Sequence, residues 1–165
     1  MIKKRLVMFM SCILLIFSVS FLFSIALKGS AESPDLFEMS GSVLMKYNGS
    51  SEHVTVPASV KAIGKGAFAG NSNLQKVTIP SSVELIDYEA FADCTSLLEV
   101  DIPDSVLSIR SSAFAGCEAL TDVSIGTGLQ ELGSGVFAGC KALSDINISP
   151  NSDTFTCVDG VLYDA

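Results

Sequence analysis

Residues 54–76, 77–99, 100–122 and 123–145 are four consecutive units of 23 residues that repeat one another without insertion or deletion. Such self-similarity constrains the fold more than any single motif. Val54, Val77, Val100, Val123 and Ile146 occupy one column, and Val56, Ile79, Ile102, Ile125 and Ile148 the column two residues on. Pro57, Pro80 and Pro103 follow, then Val60, Val83, Val106 and Leu129, then Ile63, Ile86, Ile109 and Leu132. The second half of each unit carries Phe68, Phe91, Phe114 and Phe137, flanked by Ala in the first three units. It ends on Asn71, Cys94, Cys117 and Cys140 and on Leu74, Leu97, Leu120 and Leu143. A coil of 23 residues cannot bury its own apolar edge, but stacked coils can, with parallel strands about 4.8 Å apart.

Each unit opens as a short strand with one buried side. In Glu99-Val100-Asp101-Ile102 the period of two puts Val100 and Ile102 inward and Glu99 and Asp101 outward. Pro103 ends the ladder because it has no N–H to donate. Val106 and Ile109 return inward, and Ala113-Phe114-Ala115-Gly116 reads as a tight turn or a single helical turn. The Phe column becomes an interior spine.

These columns resemble the BspA-like bacterial surface class of leucine-rich repeat proteins, on Val77-Thr78-Ile79-Pro80-Ser81-Ser82-Val83, Ile86, Ala90-Phe91, Cys94, Leu97 and their equivalents. The fourth unit departs from the pattern, with Gly126-Thr127-Gly128 in place of Pro-x-Ser and Val136 in place of Ala. Gly41–Gly49 looks like the hairpin that enters such arrays, and Val158–Tyr163 like the one that interrupts or follows them. The resemblance implies an extracellular solenoid used for protein binding or adhesion, and implies no catalysis. The predicted fold is a leucine-rich repeat solenoid, β-rich with an α/β-type right-handed coil, preceded by an N-terminal hydrophobic helix. It divides into a leader at 1–31, an entry hairpin or cap at 32–53, repeats at 54–148 and an incomplete C-terminal hairpin at 149–165. The C-terminal end reads as uncapped, which invites self-association.

The leader explains a mean hydropathy of +0.49. Lys3, Lys4 and Arg5 precede an apolar run at 6–27, and Gly29 and Ala31 supply a small-x-small pattern before Glu32. The run suits a cleaved signal peptide, and it is also long enough to span a bilayer, which takes about 20 residues. Either way, residues after it lie outside the membrane, which the chain meets only through 6–27 if the segment is retained.

Beyond Ala31 six cations face 18 acids, a net of −12. A body this acidic repels phosphate backbones, so a nucleic-acid partner is not expected. With His53 the only histidine and Trp absent, most imidazole-based catalytic and metal sites are excluded. No close Cys pair offers a zinc site, no cofactor is implied, and Glu99 and Asp101 lack a partner acid across a cleft. Cys94, Cys117 and Cys140 lie 23 apart and read as a ladder of buried free thiols rather than disulfides, with Cys157 outside it and exposed. Asn71 fills the same column in a backbone-facing role. Gly64-Lys65-Gly66 aligns with Asp87-Tyr88-Glu89 and Arg110-Ser111-Ser112, which marks a tolerant surface turn and not a phosphate loop.

What remains is the outward side of the strands. His53, Lys76, Glu99, Asp122 and Asp145 form one row, and Thr55, Thr78, Asp101, Ser124 and Asn147 a second. These ten are the candidate contact strip for a protein ligand, basic or metal-bridged, set against an ordinary solvated face. The predicted function is a non-catalytic surface or secreted binding module. The alternative is an accessory array positioning a cell-wall or protease enzyme supplied elsewhere.

Overall fold

The computed structural model describes residues 34–158 and 161–164. The predicted N-terminal hydrophobic helix lies outside the described residues, and so does the exposure expected for the Cys157 side chain. No helix among the described residues is long and apolar enough to cross a membrane.

A 3-10 turn at Pro34–Leu36 leads into a hairpin of β1 (Phe37–Ser40) and β2 (Val43–Tyr47), which turns through Gly41 at φ 61°. Each coil then contributes two strands. These are β3 (His53–Thr55) and β4 (Ala62–Ile63), β5 (Lys76–Thr78) and β6 (Leu85–Ile86), β7 (Glu99–Ile102) and β8 (Ser108–Ile109), and β9 (Asp122–Ile125) and β10 (Glu131–Leu132). A fifth coil opens with β11 (Asp145–Ile148), before a second hairpin of β12 (Phe155–Val158) and β13 (Val161–Asp164). The first strands stack in parallel as β3-β5-β7-β9-β11, and the second strands as β4-β6-β8-β10 with the β1-β2 hairpin on the end. Pairing keeps strict register: Val54 meets Val77, Val77 meets Val100, Val100 meets Val123 and Val123 meets Ile146. The described residues form a β-solenoid of about five turns.

The expected α/β character is corrected here: the described residues hold no α-helix. The wall that carries the Phe column is a run of turns, and its hydrogen bonds show why. Ala67, Ala69 and Asn71 donate locally to Gly64, Gly66 and Phe68, three residues back, whereas Gly66, Phe68 and Gly70 donate to Tyr88, Ala90 and Ala92 of the next coil. Alternate N–H groups are thus committed to the neighbouring coil, and an α-helix would need them all within itself. The alternation requires two left-handed residues per coil. Gly66, Glu89, Ser112 and Gly135 hold φ of 56–63°, and Gly70, Asp93, Gly116 and Gly139 hold 58–77°. The turn that looks tolerant in side chains is therefore restricted in backbone.

Inside, Phe68, Phe91 and Phe114 are buried and stack at centroid distances of 4.8 and 5.0 Å, with Phe137 half-buried 5.7 Å beyond Phe114. The entry hairpin continues the stack with Tyr47 and then Phe37, at 5.2 Å each. At the other end Leu132, Phe137, Cys140, Leu143, Ile146 and Ile148 are only partly covered, although their counterparts two coils earlier are buried.

The irregular fourth unit also has a structural account. Ser82 and Ser105 donate to the carbonyls of Val60 and Val83 in the preceding coil, 2.7 Å each. Gly128 takes the equivalent place in the fourth coil. A Cβ there would lie 1.9 Å from the Asp104 carbonyl oxygen. Asp104 provides the replacement tie, accepting the Thr127 N–H at 2.7 Å. Where Pro ends the earlier strands, Gly126 donates to the Ile102 carbonyl at 2.9 Å and extends the ladder by one bond.

Candidate functional site

The outer face of the five-stranded sheet gathers all ten strip residues. Every strand in it is short and alternates outward and inward, so neighbouring coils place like positions side by side. His53 lies beside Lys76, Lys76 beside Glu99, Glu99 beside Asp122 and Asp122 beside Asp145. In the second row Thr55, Thr78, Asp101, Ser124 and Asn147 follow the same order. All ten side chains are exposed.

Charge is unevenly spread along this face. Lys76 pairs with Glu99, and that hydrogen bond, helped by the charges of Glu99 and Asp101, holds the lysine above its ordinary pKa. Lys61–Glu84, Lys65–Glu89, Arg110–Glu131 and Lys141–Glu118 are the other inter-coil ion pairs, at 2.6–3.8 Å. Each joins a cation to an acid of an adjacent coil, and each is exposed and so contributes little to stability. They nevertheless occupy five of the six cations beyond the leader. Asp122 and Asp145 enter no ion pair among the described residues, so the first row ends in negative charge.

The strip lies on the exposed face of the five-stranded parallel sheet. A cavity of about 290 Å³ lies on the Phe-bearing wall at the first coil, bordered by Tyr47, Asn48, Gly49, Ser50 and residues 66–73, and no strip residue lines it. Leu98, 47% exposed, immediately precedes Glu99 and adds an apolar border that the strand pattern did not assign to the strip. Its signal was present: the same column reads Gln75, Thr121 and Ser144, so an apolar residue there departs from the repeat.

The thiols face the interior. The Sγ atoms of Cys94, Cys117 and Cys140 donate to the carbonyls of Phe68, Phe91 and Phe114 in the preceding coil, 3.2 Å each, and Asn71 reaches the Gly49 carbonyl at 3.5 Å. Burial pushes the Cys94 thiol up to about 12. Among the described residues no group of three or more His, Cys, Asp or Glu converges to hold a metal ion.

Residues 42–157 match the BspA type leucine rich repeat region in six copies. The chain belongs to the BspA-type leucine-rich repeat family. The six copies reach past the four 23-residue units into both flanking pieces. Among solved structures, this BspA-type array resembles a leucine-rich repeat protein of Bacteroides ovatus at 32% identity and a TM-score of 0.55, covering 58% of this chain and 24% of that one. A leucine rich cell surface protein of Faecalibacterium prausnitzii is 25% identical with a TM-score of 0.55, over 68% and 37% of the two chains. The T. pallidum leucine rich repeat protein is 25% identical with a TM-score of 0.59, over 71% of each. The chain thus spans about a quarter and somewhat over a third of the first two relatives. No curated protein matches it.

Proposed function

We propose that this BspA-type array is a non-catalytic, extracellular or cell-surface module that binds a protein through the outer face of its five-stranded sheet, and that the partner presents positive charge. The observation that carries the reading is the pair of continuous rows on β3, β5, β7, β9 and β11, the first of which ends in Asp122 and Asp145, neither in an ion pair among the described residues. An exposed parallel sheet lined by polar side chains suits an extended protein surface better than a small molecule, which needs a concave site. The surface location rests on the leader pattern at 1–31 and on the similarity to the F. prausnitzii cell surface protein.

The test is affinity capture from host surface proteins with the wild-type chain and with the triple variant Glu99→Lys, Asp122→Lys, Asp145→Lys. The wild type retains a basic partner, the variant loses it, and the captured complex weakens as salt rises through the Debye range. Undiminished capture by the variant refutes the strip as the binding face. That the B. ovatus and F. prausnitzii proteins extend far beyond the matched part favours a second reading, in which the array positions an enzyme, and co-purification of a catalytic chain would support it.

A further inference from the structure

The cavity of about 290 Å³ on the Phe-bearing wall lies at the first coil, which has only the entry hairpin before it among the described residues. In the later coils the wall carbonyls are taken by the coil before. Ala90, Ala113 and Val136 accept from Phe68, Phe91 and Phe114, and Ala92, Ala115 and Ala138 accept from Gly70, Asp93 and Gly116, at 2.7–2.9 Å. The entry hairpin supplies the first coil with one bond of this kind. Tyr47 N–H donates to the Ala67 carbonyl at 2.8 Å, after which Asn48 bonds the Leu36 carbonyl instead, and the Ala69 carbonyl accepts no hydrogen bond among the described residues. Residues 69–73 are left bordering open space.

That border differs chemically from its repeats. Asn71-Ser72-Asn73 aligns with Cys94-Thr95-Ser96, Cys117-Glu118-Ala119 and Cys140-Lys141-Ala142, so the first coil is the one that carries amides there. Asn71 is half-buried and fixed from two sides: its Nδ2 donates to the Gly49 carbonyl at 3.5 Å, and its Oδ1 accepts the Asn73 N–H at 3.2 Å. A side-chain amide has two donors and two lone pairs, so Asn71 keeps one of each for a ligand. Asn48 and Ser50, from the segment after the hairpin, bring a further amide and hydroxyl to the border. Tyr47 and Phe68, neighbours in the aromatic stack at 5.2 Å, border it too.

We propose that this cavity binds one ring of an uncharged, hydroxyl-rich sugar, at a site separate from the strip and independent of the protein-binding reading. Amides that both donate and accept match the neighbouring hydroxyls of a sugar, each of which also does both. Size selects a single ring, because 290 Å³ lies at the lower end of the range of about 300–1,000 Å³ for small-molecule sites. Charge selects a neutral one. No carboxylate borders the cavity, its single cation, Lys46, lies across the hairpin from Glu38, and the body beyond Ala31 carries −12. An acidic ligand would approach against that field. Gly49 belongs to the design as well, since a Cβ there would collide with the Tyr47 side chain.

The experiment titrates the full chain with the methyl glycosides of glucose, galactose and mannose, read by backbone amide shifts in NMR and by saturation transfer to the sugar. At least one of them binds one to one and moves the amide signals of Gly70, Asn71, Ser72 and Asn73, while those of β7, β9 and β11 stay in place. Asn71→Cys installs the residue that the other three coils carry, and by removing two ligand hydrogen bonds it weakens binding about tenfold or more. Ser72→Trp, at an exposed position, fills the cavity and abolishes binding. The methyl glycoside of glucuronic acid binds no more tightly than the best neutral sugar. Absence of binding by all three neutral sugars, shifts that map to other residues, full affinity in Asn71→Cys at an unchanged urea midpoint, or tighter binding of the glucuronoside would each overturn the proposal.

Discussion

Phe91→Ala tests the stacked interior most directly. Phe91 is fully buried and lies between Phe68 at 4.8 Å and Phe114 at 5.0 Å, with interplanar angles of 9° and 2°. Truncating a core Phe costs about 3–5 kcal/mol, the larger values applying where the surroundings cannot close on the cavity. Here they cannot. Phe68 N–H bonds the Ala90 carbonyl at 2.8 Å and Phe91 N–H bonds the Ala113 carbonyl at 2.7 Å, so the backbone holds the coils apart whatever fills the space between. The expected loss is therefore about 4 kcal/mol, a large share of the roughly 5–15 kcal/mol typical of a domain. Phe137→Ala supplies the internal comparison. Its ring is half-buried with one aromatic neighbour at 5.7 Å, and its loss is expected at about half as much. Urea unfolding followed by circular dichroism, with m checked for constancy, measures both. If Phe91→Ala costs no more than Phe137→Ala, or less than about 1.5 kcal/mol, the reasoning from a rigidly spaced spine fails.

Three further outcomes follow from the backbone and the thiols. Glu89→Gly and Ser112→Gly relieve left-handed residues at φ 56° and 59° and should each raise stability by about 1 kcal/mol in the same urea assay, the exposed Lys65–Glu89 contact being a small loss. Gly128→Ser makes the fourth unit look more like the second and third, yet it should destabilise by about 1–3 kcal/mol, because its Cβ would meet the Asp104 carbonyl oxygen 1.9 Å away. Cys94 titrates near 9.0 when free and is pushed up to about 12 by burial in the fold. Its contribution is whole below pH 9 and is lost as pH climbs towards 12, since the unfolded chain releases the proton first. Between pH 7 and 10.5 wild type should lose roughly 2 kcal/mol more than Cys94→Ala does, as read from urea midpoints.

Much of the interior was legible because each repeat writes its inward positions at one spacing, and the eye needs only columns to see them. Val100 and Ile102 inward with Glu99 and Asp101 outward needed no more than a period of two. The second sheet was not legible in the same way. Ala62–Ile63, Leu85–Ile86, Ser108–Ile109 and Glu131–Leu132 are two-residue strands, too short to show any alternation. The entry hairpin hid for another reason: Tyr47 takes up the aromatic stack 21 residues before Phe68, and Phe37 lies ten before that, so neither falls in the Phe column. Lys65, Tyr88 and Ser111 suggested a tolerant surface, and Lys65 and Tyr88 are exposed while Ser111 is half-buried. What they concealed was the left-handed residue that follows each of them, which a side-chain pattern does not report when Glu89 and Ser112 fill positions that Gly66 and Gly135 hold elsewhere.

The amino-acid order by itself determined the coil length, the identity of the buried columns and the acidic outward rows, because a strand's two faces are assigned by parity and a repeat multiplies one assignment four times. Only the tertiary structure decided what closes each coil. The Phe-bearing wall has no helix because alternate N–H groups are claimed by the neighbouring coil, a competition that exists only once coils are stacked. The same stacking fixes the bonds from the Cys94, Cys117 and Cys140 thiols to the preceding coil and the contact between Gly128 and Asp104, distances across coils that no stretch of the chain contains.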